Sequence, residues 1–294
     1  MKPTQPGAVK GLIVCADDFC VNASASLGIA KLAGLGRISA TSAMVLSPRW
    51  AQDAALLHDL RGRIDVGLHL DWTSDFALAA GHGMALGTAM LKAVLGGFGR
   101  AAALAATRSV IDRQLDLFEL QWKAAPDFVD GHQHVQQFAG IRQALVQALI
   151  SRYAGQGRQL PYLRISRAPS GTVDLKSQLI AAMGANMLAR TAQEAGIAAS
   201  AALLGIYDFA GNQMRYSRLM TGWLQRAPEH SIIMCHPAQA AEPGDSIGLA
   251  RAQEFAYLRG PEFAAALADA RVQLVRGGSL AVQAEPVEAV DLPR

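Results

Sequence analysis

The sequence predicts an α/β fold, a parallel sheet or barrel with helices packed outside it. Two observations carry that expectation: short β-branched runs alternate with longer alanine-rich stretches of helical period, and no internal repeat or long low-complexity linker breaks the alternation. Leu12-Ile13-Val14-Cys15-Ala16 opens the series as an apolar strand, followed by a helix at 24–35. Strand 40–46 with helix 51–60 and strand 64–70 continue it. Between Gly81 and Trp122 the chain holds more than one connection, with Gly96-Gly97 and Gly99 punctuating two helical stretches, so a helical insertion beside the site is expected, a lid or a dimer surface. Strand 127–134 then pairs with helix 141–153, strand 162–166 with helix 175–194, and a further strand at 202–206 with helix 213–225. Strand 231–235, helix 261–270 and strand 272–275 close the series at roughly seven or eight β/α units.

The 294 residues fit one large α/β domain or two small ones. With no linker in view, one domain over 11–280 is expected, between flexible ends at 1–10 and 281–294. Only 17% of residues are charged, below the usual quarter or so, and alanine accounts for much of the mean hydropathy of +0.18. No run approaches the ~20 apolar residues of a membrane span, so no transmembrane segment is expected. The net charge is +3 with basic residues scattered, which lacks the footprint of a nucleic-acid binder. The apolar stretch at 11–15 is too short, and followed too soon by two aspartates, for a secretory signal. Cys15, Cys20 and Cys235 form no C-x-x-C pair and are odd in number. A cytoplasmic protein without disulfides is expected, its oligomeric state open, a homodimer included.

Four groups carry chemistry, each where an expected strand ends. Asp17 and Asp18 are adjacent carboxylates, costly when buried unless something cationic compensates. A divalent metal on one would do so and leave the other as a base. His69 ends Val66-Gly67-Leu68-His69-Leu70. In Asp130-Gly131-His132-Gln133-His134, residues two apart share one face of a strand, so Asp130, His132 and His134 are expected to line up in a polar pocket. His236 closes the fourth strand, and Pro237 after it restricts its backbone to an extended form. In a barrel, strand C-termini meet on one face and build the active site.

A carboxylate with two histidines is a recurring pattern for a catalytic divalent ion, which lowers the pKa of bound water and polarises a carbonyl. A spare carboxylate then serves as base and a spare histidine as acid, the requirements of amide hydrolysis.

Ala16-Asp17-Asp18-Phe19, Gly67-Leu68-His69-Leu70, Asp130-Gly131-His132-Gln133-His134 and Met234-Cys235-His236-Pro237 occur in the order and rough spacing of one family. The chain resembles the YdjC-like carbohydrate deacetylases, which include chitooligosaccharide deacetylases and hopanoid-biosynthesis relatives. Softer features agree: the segment 36–42, Gln114 and Phe118 ahead of Pro126, and Arg164 in the next strand. The resemblance covers about 11–275. It implies a single distorted, TIM-like (β/α) barrel with one divalent ion, Mg²⁺ or Zn²⁺, and hydrolysis of the N-acetyl group of an amino sugar, an amide bond other than a peptide bond. Carried over by position, Asp18, His69 and His132 become the metal ligands and Asp17 the general base. His236 becomes a candidate acid or substrate contact; Asp130, His134 and Arg164 are candidates for substrate binding or for supporting the ligands. Two positions depart from the family pattern: Gln136 stands where a further histidine is usual, and Cys20 where glycine is usual.

Blander readings compete. Asp17 and Asp18 could cap the helix near residue 24, although Asn22 and Ser24 stand closer to its start. Cys235 reads as an inert buried thiol turned away from His236, and Arg164 as a partner of a site carboxylate or a bridge to a helix. The apolar stretch 84–98 reads as helix packing rather than a lipid-binding lip, with a lipid-linked sugar left open. The rivals are a metal-dependent phosphoesterase, for which no glycine-rich phosphate loop or arginine cluster is visible, and a non-catalytic sugar-binding relative, in which the second carboxylate would have no task.

Overall fold

The computed structural model describes residues 9–155, 159–171 and 174–278. The chain runs β1 (Lys10–Phe19), α1 (Ala23–Gly34), β2 (Ala40–Ala43), α2 (Trp50–Asp53), β3 (Asp65–Leu70), α3 (Asp75–Ala79), α4 (Leu86–Val94), α5 (Ala101–Trp122) and β4 (Phe128–Gly131). It continues through α6 (Ile141–Tyr153), β5 (Tyr162–Leu163), α7 (Leu175–Ala182), α8 (Ala185–Glu194), β6 (Leu203–Leu204), α9 (Gln213–Arg226), β7 (Ile232–Cys235), α10 (Gly248–Arg259), α11 (Pro261–Asp269) and β8 (Val272–Leu274). The expected flexible ends lie outside the described residues, apart from positions 9 and 10.

Seven strands form one parallel sheet in the order β5-β4-β3-β2-β1-β7-β6, curled as a half-barrel with the helices between its strands. An isolated parallel bridge from Leu163 to Ala199 draws the β5 edge toward the segment that enters β6. β8 pairs with the first residues of β1, opposite the end that carries the aspartates. All strands being parallel, their C-terminal ends share one rim, the geometry that collects residues from distant motifs. β1 and β3 are buried along almost their whole length, as expected for strands covered on both faces.

The helix expected at 175–194 is two, α7 and α8. They break at Gly184, whose φ is +124° and whose missing Cβ would lie 2.3 Å from the Gln137 carbonyl oxygen. The helical segment expected around 81–122 is α4 and α5, of which α5 packs along α6 and against β3. Asn22 caps α1 by accepting from Ala25 N at 2.8 Å, so Asp17 and Asp18 are not its cap. No described helix is long and apolar enough to cross a membrane.

Candidate active site

Side chains alternate across a strand, so adjacent aspartates on β1 should face opposite ways. They do not: the β1–β2 register shifts between Ala16 and Phe19, Asp18 has φ +63°, and both carboxylates line one cavity at the sheet's C-terminal rim. A bulge of this kind re-aims a side chain at the cost of local strain. Cys20 follows at φ +77°, a conformation suited to the glycine usual at this position in the resembling family. The cavity holds about 760 Å³, and His69, His132, His134 and His236 also line it.

Asp17 is gripped on both oxygens by Arg164, Nη1 to Oδ1 at 2.6 Å and Nη2 to Oδ2 at 2.8 Å. Burial works against its charge, but Arg164 and then His69 outweigh that and hold its pKa down at about 2. Arg164 Nη1 also lies 2.9 Å from Asp130 Oδ2. Asp130 in turn meets His69 Nδ1 at 2.6 Å, and Ser42 Oγ stands 3.1 Å from the same nitrogen. Asp130 and Arg164 are fully buried and sit behind the cavity rather than on it, so they act on the groups in front of them.

Asp18 Oδ1 faces two imidazoles, His69 Nε2 at 3.3 Å and His132 Nδ1 at 3.2 Å. Its Oδ2 accepts from Arg251 Nη2 at 2.7 Å. Burial opposes the Asp18 charge, yet Arg251 and the two histidines hold its pKa well below the carboxylate range. The positive charge required by two buried carboxylates is thus supplied first by two arginines, one for each. For His69, burial disfavours a charge, but Asp130 and then Asp18 and Asp17 push its pKa up to about 10.

The donor atoms around Asp18 Oδ1 suit a metal. With the His69 Nδ1 proton committed to Asp130, a neutral ring points its Nε2 lone pair at a carboxylate oxygen. Two acceptors face to face require a proton or a cation between them. One donor atom each from Asp18, His69 and His132 lies within 4.8 Å of the other two, and one carboxylate with two imidazoles suits a divalent ion. A second such cluster, Cys15, Asp17 and Asp130, lies beneath it, where Arg164 already stands between the two carboxylates.

His134 departs from the expected alignment. β4 stops at Gly131, and 132–137 form a 3-10 turn in which Gln133 and His134 have φ of +52° and +63°. The face-sharing argument for residues two apart fails there, and His134 reaches Ser166 Oγ at 3.0 Å while still bordering the cavity. Burial, then Arg164, lowers its pKa to about 3. Gln136, in the place of the usual histidine, is buried, with Nε2 donating to the Arg164 carbonyl at 3.2 Å.

His236 follows β7, its ring edge-on to Phe209 with centroids 5.2 Å apart. Burial lowers its pKa to about 4, so the ring is neutral at rest. Its backbone N–H donates to Glu254 Oε2 at 2.5 Å, and Tyr207 Oη donates to Glu254 Oε1 at 2.6 Å. Cys235 is buried with Sγ directed at the Cys15 carbonyl, and burial pushes its pKa well up, the inert thiol expected. The sequence reading missed Arg251, Glu254 and Tyr207. Arg251 and Glu254 lie three apart on α10, hence on one face of that helix.

Fold and site together define an α/β half-barrel protein with a carboxylate–imidazole cluster at the C-terminal rim of its sheet. The chain belongs to the YdjC-like protein family, whose family model matches residues 11–269. Among solved structures it resembles a candidate cellobiose-phosphate cleavage protein of Enterococcus faecalis V583, with a TM-score of 0.68, 20% identity, and coverage of 93% of this chain and 99% of that one. A family 4 carbohydrate esterase from Streptomyces lividans, solved with acetate, aligns at a TM-score of 0.41 and 11% identity over 91% of this chain and 93% of that one. No curated protein matches the chain significantly.

Proposed function

We propose that this protein is a divalent-metal-dependent deacetylase that hydrolyses the N-acetyl group of an amino sugar in an oligosaccharide or glycolipid. One observation carries the reading: Asp18, His69 and His132, remote in sequence, bring ligand atoms within 4.8 Å of one another, beside a second carboxylate, Asp17, in the same cavity. Family membership supports it.

Asp18, His69 and His132 would hold the cation, Mg²⁺ or Zn²⁺. When bound, such an ion acidifies water and polarises a carbonyl. Asp130 fixes the His69 ring, as second partners of metal-ligating histidines do. Asp17 accepts a proton from water; the Arg164 grip makes it a weak base but fixes its position. His236, neutral at rest, takes up a proton before it can hand one to the leaving amine. Three unpaired cysteines support a reducing, cytoplasmic compartment.

The test is acetate release from N-acetylglucosamine oligomers with metal content measured alongside, for the wild type and Asp17→Asn. The variant is expected to keep its metal and lose a factor on the order of 10² or more in rate. An unchanged rate removes Asp17 from the mechanism.

A further inference from the structure

The active-site cavity does not end in polar walls. On α4, Leu86 and Met90 line it, and Val94, four residues further along the same stripe, is 83% exposed. On α7 the stripe Leu175, Leu179, Met183 behaves alike: Leu179 and Met183 line the cavity, while Leu175 stands 81% exposed. Leu91 and Leu95 on the flank of α4 are also left open. Within 84–98, Ala89, Ala93 and Phe98 are buried and Met84, Leu86 and Met90 pack partly against the core, as expected, while Leu91, Val94 and Leu95 are left exposed. A soluble sugar gives no reason for such aliphatic lips, because its hydroxyls need polar partners.

Charge indicates what covers them. From Phe76 to Ile111 the chain holds no carboxylate, while Lys92 and Arg100 stand exposed there. From Leu175 to Gln193 there is again no carboxylate, with Lys176 on the cavity side of α7. The acids that border the cavity outside the metal cluster, Asp75, Glu242 and Asp245, come from other elements. Asp174, exposed beside Leu175, is engaged in capping the Lys176 and Ser177 N–H groups at the start of α7. Exposed aliphatic side chains flanked by more cations than acids match the interfacial zone of an anionic bilayer.

We propose that the cavity mouth docks on an anionic lipid surface, with α4 and α7 as its two lips, so that the sugar is taken from a carrier anchored in the bilayer. The identity of the sugar rests on the function proposed above; the docking surface does not.

The experiment is co-sedimentation of the full chain with vesicles of phosphatidylcholine alone or mixed with phosphatidylglycerol, at low and high salt, together with its oligomeric state in solution. The triple variant Leu91→Ser, Val94→Ser, Leu175→Ser changes only exposed positions outside the proposed machinery. Wild type is expected to bind the mixed vesicles, less so at high salt. The triple variant should bind them about tenfold or more weakly, with acetate release from a soluble N-acetyl sugar unchanged, and Lys92→Glu with Arg100→Glu should remove the salt dependence. No wild-type binding, equal binding by the triple variant, or a lipid-free dimer that the triple variant dissolves would each overturn the proposal. Vesicle binding without acetate release from any substrate would leave the docking intact and remove the deacetylase reading.

Discussion

Arg251 Nη2 donates to Asp18 Oδ2 at 2.7 Å across 233 positions of sequence, so one oxygen of the proposed metal ligand is already committed to a guanidinium. Only Oδ1 faces the two histidines, and Asp18 is held to a single-oxygen approach. Arg251 is itself anchored by Asp245, Nε to Oδ2 at 2.8 Å.

Removing one partner of a buried ion pair leaves the other charge uncompensated, a loss of about 3–5 kcal/mol. Arg251→Met is therefore expected to lower the melting temperature of metal-free protein. A divalent cation replaces part of the missing charge, so the gain on adding metal should be larger in the variant than in wild type. Thermal melts with and without metal read both, and equal gains would deny the coupling.

Asp130 holds His69 by Nδ1 at 2.6 Å and faces the cavity with neither oxygen. Asp130→Asn leaves all three proposed ligands in place but loosens the ring and weakens its basicity. Metal affinity, measured by competition titration, should fall by roughly 10–100-fold. An unchanged affinity would mean that packing alone orients His69.

Burial raises the Glu254 pKa from 4.5 to about 7, against the hydrogen bonds from Tyr207 and His236 and the charge of Arg251. A raised folded-state pKa means that the folded protein binds the proton more tightly than the unfolded chain does. The resulting stabilisation is full below about pH 4.5 and is lost as pH rises through about 7. Glu254→Gln cannot ionise and so lacks this loss. Denaturant melts across that window should show the variant gaining on wild type by up to the order of 3 kcal/mol, on top of a pH-independent offset from the altered hydrogen bond. A flat difference would show that Glu254 stays ionised throughout.

Gly205, just past β6, has φ +95°, and a Cβ there would lie 2.1 Å from the Met234 carbonyl oxygen on β7. Backbone cannot yield as a flexible side chain would. Gly205→Ala is expected to cost about 2 kcal/mol or more from the left-handed conformation and the clash together, read as a fall in melting temperature. Retained stability would require β6 and β7 to separate freely.

The strand positions were legible in the sequence because parallel strands buried on both faces are apolar runs that end abruptly in polar residues, as Val14 to Asp18 and Ile232 to His236 do. Helix 141–153 was legible to the residue, lying between Gly140 and the end of its apolar pattern. Helix α10 was not: Ile247 at its N-cap makes no side-chain cap bond, so its start carries no signal. With it were lost Arg251 and Glu254, whose partners are contributed by β1, the loop before α10 and the segments after β7 and β6.

By itself the sequence determined the parallel α/β plan and the polar groups at the strand ends, since apolar periodicity and local residue order are properties of short stretches of chain. The tertiary structure decided which groups meet and how they are charged. The bulge at Asp18 turns two neighbouring carboxylates into one cavity, the turn after Gly131 takes His134 off the strand and onto Ser166, and two buried arginines from distant elements share the neutralisation first ascribed to a metal. Backbone strain and ion pairing over more than a hundred residues depend on where the chain is brought together in space, and no local pattern encodes them.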